Sequence, residues 1–300
     1  MTRNKISWCL APDGAPGFSW NPSCGCGPVS AGCVHCWSAR LASTRLAHLP
    51  EYQGLAKDGV WAGHARFLPD RLAEPLRHRK PAGICVSLMG DLWHEDIGFE
   101  QIAAVFGVAA ACPQHRFYFL TKRAKRMREW AEWIGEESRP LDKCFAAASE
   151  ILGRVDIRDF DQWPLTNCWL GVSVEDQATA DERIPELLQT PAAVRFVSYE
   201  PALGPVDMVD WMANQDAEQD TTAAAIARGE EHGIDWVVCG AESGPGARSM
   251  QDDWVRSIRD QCRSARVPLW FKQAMRNGKL DHEPMLDGRT WRGMPKETRR

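Results

Sequence analysis

The chain has no apolar run approaching the ~18 residues of a membrane-spanning helix. Its start, Met1-Thr-Arg-Asn-Lys-Ile6, is basic but has no apolar stretch behind it, so no secretory leader is expected. It also lacks a basic excess. The formal net charge is −4, and proteins that coat duplex DNA through charge alone carry surplus cations. No internal repeat is visible. These absences point to a cytoplasmic chain with no membrane partner. Apolar residues are not scarce: at 44%, they leave little room for general disorder. Three hundred residues suit one large α/β domain, read here as 1–300 with an exposed, acidic and then Ala-rich insertion around 207–233.

Cysteine is abundant instead. There are eleven, an odd number, in a chain with no expected export signal. A disulfide framework is therefore the poorer reading, and buried thiols, reactive thiols or metal ligands remain.

Six short apolar runs read as buried strands: Ile84 to Met89, Phe117 to Leu120, Trp169 to Val174, Val194 to Tyr199, Trp236 to Gly240 and Pro268 to Phe271. Apolar residues at helical spacing separate most of them, over Phe99 to Ala111, Ala124 to Ile134, Ala178 to Leu188 and Trp254 to Ser264. Alternation of this kind predicts a parallel sheet in an α/β fold. Most of the strands run out into polar groups: Asp91 with His94 and Glu95, Thr121 with Lys122, Ser173 with Glu175, Ser198 with Glu200, Glu242 with Ser243, and Lys272 with Gln273. In parallel α/β barrels such ends collect on one face and build the active site. Any strand leaving a core ends in polar residues, which accounts for part of this pattern. It accounts less well for carboxylates directly after apolar runs.

The segment Trp20-Asn-Pro-Ser-Cys-Gly-Cys-Gly-Pro-Val-Ser-Ala-Gly-Cys-Val-His-Cys-Trp37 gathers four thiols in a Gly-rich loop. Thiolates favour zinc and iron–sulfur clusters. All four could close a structural zinc knot, although Cys24-Gly-Cys26 is an awkward chelating step beside the usual Cys-x-x-Cys. Three could hold a [4Fe–4S] cluster with one iron left open. Spacing favours the second reading without deciding it.

Longer landmarks accompany the cysteines: Met89-Gly-Asp-Leu-Trp-His-Glu-Asp96, Leu120-Thr-Lys-Arg123, Trp169 to Glu175, Ala180-Asp-Glu-Arg-Ile-Pro185, Arg195-Phe-Val-Ser-Tyr-Glu-Pro201, Gly240-Ala-Glu-Ser-Gly-Pro-Gly246 and Phe271-Lys-Gln273. With these, nearly the whole chain resembles an uncharacterised family of phage and prophage proteins whose three-cysteine motif is similar to that of radical S-adenosylmethionine enzymes. The resemblance selects Cys26, Cys33 and Cys36 as ligands and leaves Cys24 outside. The spacing here is Cys-x6-Cys-x2-Cys, where most radical S-adenosylmethionine enzymes have Cys-x3-Cys-x2-Cys. Trp37 stands where the family more often has Tyr.

The resemblance implies a full or partial TIM-like (β/α) barrel with a Cys-rich N-terminal loop. It also implies a [4Fe–4S] cluster and S-adenosylmethionine as cofactors, cleaved to a 5′-deoxyadenosyl radical that abstracts hydrogen. Gly90 would then permit close backbone approach and Asp91 accept from the methionyl ammonium. Lys122 or Arg123 would meet its carboxylate, and Ser173 and Glu175 the ribose. The turn from Gly240 through Glu242 to Gly246 would pack on adenine or bind an anion. His94 and Glu95 are candidate acid–base groups near the substrate. Of fourteen tryptophans, Trp37 and Trp93 are placed to line a pocket. The expected partners are a small-molecule or nucleotide substrate, nucleic acid, and a reductase or other protein. The reading from another class is a zinc-stapled, non-catalytic protein that grips a partner or nucleic acid at the barrel mouth.

Overall fold

The computed structural model describes residues 1–155, 162–212 and 233–296. Its frame is a nine-stranded, mostly parallel sheet in a mixed α/β fold. The strands needed here, in chain order, are β1 (Thr2–Arg3), β2 (Phe18–Trp20), β3 (Ser23–Cys26), β4 (His64–Phe67), β5 (Gly83–Val86), β6 (Arg116–Thr121), β7 (Cys168–Val174), β8 (Val194–Tyr199), β9 (Trp236–Gly240), β10 (Leu269–Arg276) and β11 (Lys279–Asp281). Of these, β3 and β4 form a separate antiparallel pair that carries Cys24 and Cys26. In the main sheet β2 and β5 to β10 run parallel, each beside its neighbour in sequence. The short strands β1 and β11 lie antiparallel on the two edges. All six runs read as strands are present. The stretch from the N-terminus through the cysteine cluster, which shows no strand pattern in sequence, adds β1, β2 and β3, because two to four residues are too few to display a period.

Helices α1 (Trp37–Ser43), α2 (Phe99–Ala110), α3 (Ala124–Gly135), α4 (Pro140–Leu152), α5 (Gln177–Leu188) and α6 (Asp252–Ser264) complete the described elements needed here. Strand residues alternate between two clusters, as the pleat requires. Ile84, Phe117, Leu170, Val197, Val237 and Phe271 pack with α2 to α6. Their sequence neighbours Cys85, Tyr118, Trp169, Phe196, Trp236 and Trp270 pack with Trp8 and Cys9. These five helices therefore share one face of the sheet. The other face is concave. The rings of Tyr118 and Trp236 lie 6.3 Å apart, yet their strands are three positions apart, about 14 Å in a flat sheet. Trp8 fills the concavity, 5.6 Å from Tyr118 and 5.9 Å from both Phe196 and Trp236.

The sheet is open among the described residues: β1 and β11 do not pair with each other, so of the full or partial barrel that the resemblance implies, the described residues show a mostly parallel sheet and no closed barrel. The N-terminal segment bridges the opening from inside, with Ser7 Oγ 3.2 Å from Trp270 Nε1 and the Leu10 carbonyl accepting from Tyr118. Of the insertion expected at 207–233, residues 207–212 close on the sheet through a bridge from Met212 to Ile234. Its remainder, 213–232, lies outside the described residues. No helix among the described residues is long and apolar enough to cross a membrane.

Candidate functional site

The C-terminal ends of β5, β6, β7 and β9 meet the cysteine loop. At β5, Gly25 donates to the Met89 carbonyl at 3.0 Å and its own carbonyl accepts from Asp91 N at 3.3 Å. Gly90 makes this approach possible, since a Cβ there would sit 2.6 Å from the Gly25 oxygen. The close backbone approach expected of Gly90 is thus made to the cysteine strand itself. At β6, the Arg123 guanidinium donates to Cys26 Sγ at 3.3 Å and to the Gly27 carbonyl at 3.3 Å. At β7, Glu175 accepts from Ser30 Oγ at 2.9 Å. At β9, Glu242 meets His35 Nδ1 at 3.0 Å, and Arg248 joins Glu242 to the Ala31 carbonyl. Each anchor falls on a different part of the loop, so the loop lies across the rim.

Burial separates the cysteines. Cys26, Cys33 and Cys36 are partly exposed, and the other eight are buried. Cys24 is sealed under Glu51 and Tyr52, its thiol 3.3 Å from the Glu51 carbonyl, and burial pushes its pKa up to about 11. The zinc knot needs Cys24 as its fourth ligand, so this burial counts against it. Burial also pushes Cys26 up to about 12, with Asp91 adding and Arg123 opposing. In the unliganded chain Cys26 is therefore a neutral thiol, and ligation would release its proton. Among the described residues, no three His, Cys, Asp or Glu side chains form a ready-made site for a single metal ion.

The rim carboxylates proposed for S-adenosylmethionine are engaged by the protein. Asp91 accepts from Thr121 Oγ1 at 2.8 Å, from Trp93 N at 3.0 Å and from Arg123 at 3.2 Å. Glu175 is fully buried between Lys122, Arg183 and Ser30. Arg183 reaches back because α5 begins directly after β7, where Asp176 caps it through Thr179 N at 2.9 Å. Ser173 is buried, and its carbonyl accepts from Arg183 at 2.7 Å. A Cβ on Gly240 would overlap Glu200, so this glycine makes room for a carboxylate. Burial would raise Glu242, but hydrogen bonds from Arg248 and His35 outweigh it and hold the carboxyl at about 2.

His94 is buried beside Gly27, its Nδ1 accepting from Asp96 N at 3.2 Å. Burial and then Arg123 lower its pKa, which favours the neutral ring. Glu95 is exposed, 3.7 Å from Arg123, and is held below the usual carboxylate range chiefly by its own backbone amide. Trp93 is core, stacked edge-on against Phe119, whereas Trp37 is exposed.

Over residues 3–295 the chain matches the family described as protein of unknown function (DUF5131). It belongs to that family. No curated protein and no solved structure matches it.

Several working residues of this DUF5131 chain have no role in the sequence reading. Arg183 lies within the Ala180 to Pro185 landmark, and His35 lies inside the Cys33–Cys36 step, so both were in view. Ser30 lies in the same cysteine segment and Arg248 in no landmark, and only the fold brings them to Glu175 and Glu242. Another group is the polar layer above the concave aromatics. Ser198 Oγ donates to Glu200 at 3.3 Å, and Lys272 Nζ lies 3.0 Å from Glu200. Ser173, Ser198 and Lys272 share the parity of Trp169, Phe196 and Trp270, so this layer lies on the concave side of the sheet at the C-terminal strand ends. Two cavities of near-equal size flank the concave face. One, of about 870 Å³, opens at the opposite end of the sheet among Arg116, Trp169 and Asp235. The other, of about 850 Å³, borders Trp37 and Met89 next to Cys36.

Proposed function

We propose that this chain is a partial (β/α) barrel of the radical S-adenosylmethionine type. Cys26, Cys33 and Cys36 would hold a [4Fe–4S] cluster above the rim. One observation carries the reading: these three of the eleven cysteines are the ones partly exposed, on a loop fastened across the C-terminal strand ends. The donor set fits a cluster with one open iron, because the fourth nearby thiol is buried and bonded elsewhere.

When bound, the cluster and S-adenosylmethionine supply a carbon radical able to take hydrogen from an unreactive C–H bond. The protein's own residues prepare for this. Arg123 places a cation on Cys26 and favours its thiolate. Asp91 and Glu95 fix that guanidinium. Glu175, Lys122 and Ser30 hold the middle of the loop together with Arg248 on Ala31, and Glu242 holds its far end at His35. Of the groups proposed for the cofactor, those already saturated fit poorly. Ser198 and Glu200, the latter paired with Lys272, are the alternative for a ribose or an ammonium.

The test is metal content after anaerobic reconstitution. About four irons per chain with the spectrum of a single cubane are expected. Slow 5′-deoxyadenosine release on reduction with S-adenosylmethionine should accompany them. Stoichiometric zinc and no iron would establish the zinc-stapled binding protein instead.

A further inference from the structure

The open seam of the sheet is a cleft with an unusual lining. Ser19 and Asn21 face it from the first edge, and Lys272 and Gln273 from the last. No aspartate or glutamate lines it, whereas Lys5, Arg45, Arg71 and Lys272 all do. Arg71 and Lys272 are already paired, with Glu51 and Glu200. Lys5 and Arg45 are exposed and form no ion pair among the described residues. The exposed indole of Trp37, the residue after Cys36, lines the same cleft, as do Leu41, Leu46 and Leu49.

Two unpaired cations beside an exposed aromatic face and an apolar wall select an anion that carries a flat ring. The volume, about 850 Å³, suits a ligand rather than a water cluster. S-adenosylmethionine fits this cleft poorly. Its sulfonium and ammonium outnumber its carboxylate, and a lining of cations without an acid repels it.

We infer that this cleft binds a nucleotide, with the base against Trp37 and the phosphate held by Lys5 and Arg45. Its standing as the substrate rests on the proposed radical chemistry. The binding itself does not, so it can be tested on metal-free protein. The chemistry recognised is a base with a 5′-phosphate, free or as one residue of a single strand.

The experiment measures binding to the metal-free full-length chain of thymidine, thymidine 5′-monophosphate, a ten-nucleotide single-stranded DNA and its duplex. The monophosphate or the single strand should bind at least about tenfold tighter than thymidine, since the cleft reads the phosphate. Arg45→Ala and Trp37→Ala should each weaken that binding about tenfold, and Trp37→Phe should recover part of the loss. Both side chains are exposed, so the variants should fold. A monophosphate that binds as tightly as the strand assigns the cleft to free nucleotides. Binding of the strand alone assigns it to a base within single-stranded nucleic acid. Equal affinity for thymidine, tighter binding of duplex than of single strand, or no effect of either alanine variant would overturn the inference. Failure to load iron would sink the radical chemistry and leave these affinities unchanged.

Discussion

Cys24 and Cys33 are nine residues apart and differ in what surrounds them. Cys24 is a core thiol under Tyr52 and Glu51, and Cys33 is partly exposed on the loop beside Ser30. Cys24→Ser should leave reconstituted iron near the wild-type value, and Cys33→Ser should abolish it. Equal loss in both, measured by iron assay and visible absorbance, would restore the four-thiol site. Glu175 calls for a different expectation from the one its strand-end position suggests. It is fully buried with Arg183, and removing one partner of a buried pair costs about 3–5 kcal/mol. Glu175→Ala should therefore lower the urea midpoint and also lose iron, because Ser30 loses its anchor. A normal midpoint with weakened S-adenosylmethionine binding would return Glu175 to the cofactor.

Among the elements, α2 and α4 show where close packing decides. A Cβ on Gly107 of α2 would overlap the Cys144 carbonyl of α4 and come 2.9 Å from Ala148 Cβ. Alanine is the better helix former by about 1 kcal/mol. Overpacking against a backbone carbonyl costs about 1–3 kcal/mol, and the backbone has little room to move. Gly107→Ala should be destabilising in equilibrium unfolding, against its propensity. A stabilised variant would mean that the two helices can slide apart. Helix α4 itself is absent from the sequence reading, although Leu141, Cys144, Phe145 and Ala148 bury at helical spacing. The period was there to be counted. It follows α3 with no strand between, outside the strand–helix alternation that guided the reading.

At the scale of the molecule, Trp8 and the rim ion pairs hold the curved sheet. Trp8 is the hub of the concave aromatic cluster, with rings of three strands around it. Trp8→Ala should cost about 3–5 kcal/mol, as for other large aromatics cut from a core. A cost below about 1 kcal/mol would show that the sheet keeps its curve unaided. Acid should act through the rim. Glu242 sits at about 2 in the folded chain, below its ordinary 4.5, so the unfolded chain takes up its proton first as pH falls. Its contribution is fully present above about pH 4.5 and is lost as pH drops toward 2. Glu242→Gln should be less stable than wild type by about 1.5–3 kcal/mol at pH 7. The gap should close toward pH 2, and a constant gap across that range would show that the loss is one of packing.

Strand positions, parallel direction and the polar strand ends were legible because each follows from local pattern: apolar runs of strand length, helical spacing between them, and the residues at their exits. The cysteine cluster stood out because four thiols crowd one glycine-rich loop, whereas the choice of Cys26, Cys33 and Cys36 among them came from the family resemblance. Three matters were decided only by the tertiary structure. Cys24 is separated from its neighbours by burial, which depends on Glu51 and Tyr52 folding over it. The rim carboxylates have partners from distant segments, Ser30 to Glu175 and His35 to Glu242, so their freedom to meet a cofactor was invisible in the chain. The sheet stays open at one seam, because closure depends on strand tilt, edge caps and the Trp8 plug, and none of these leaves a mark on local sequence.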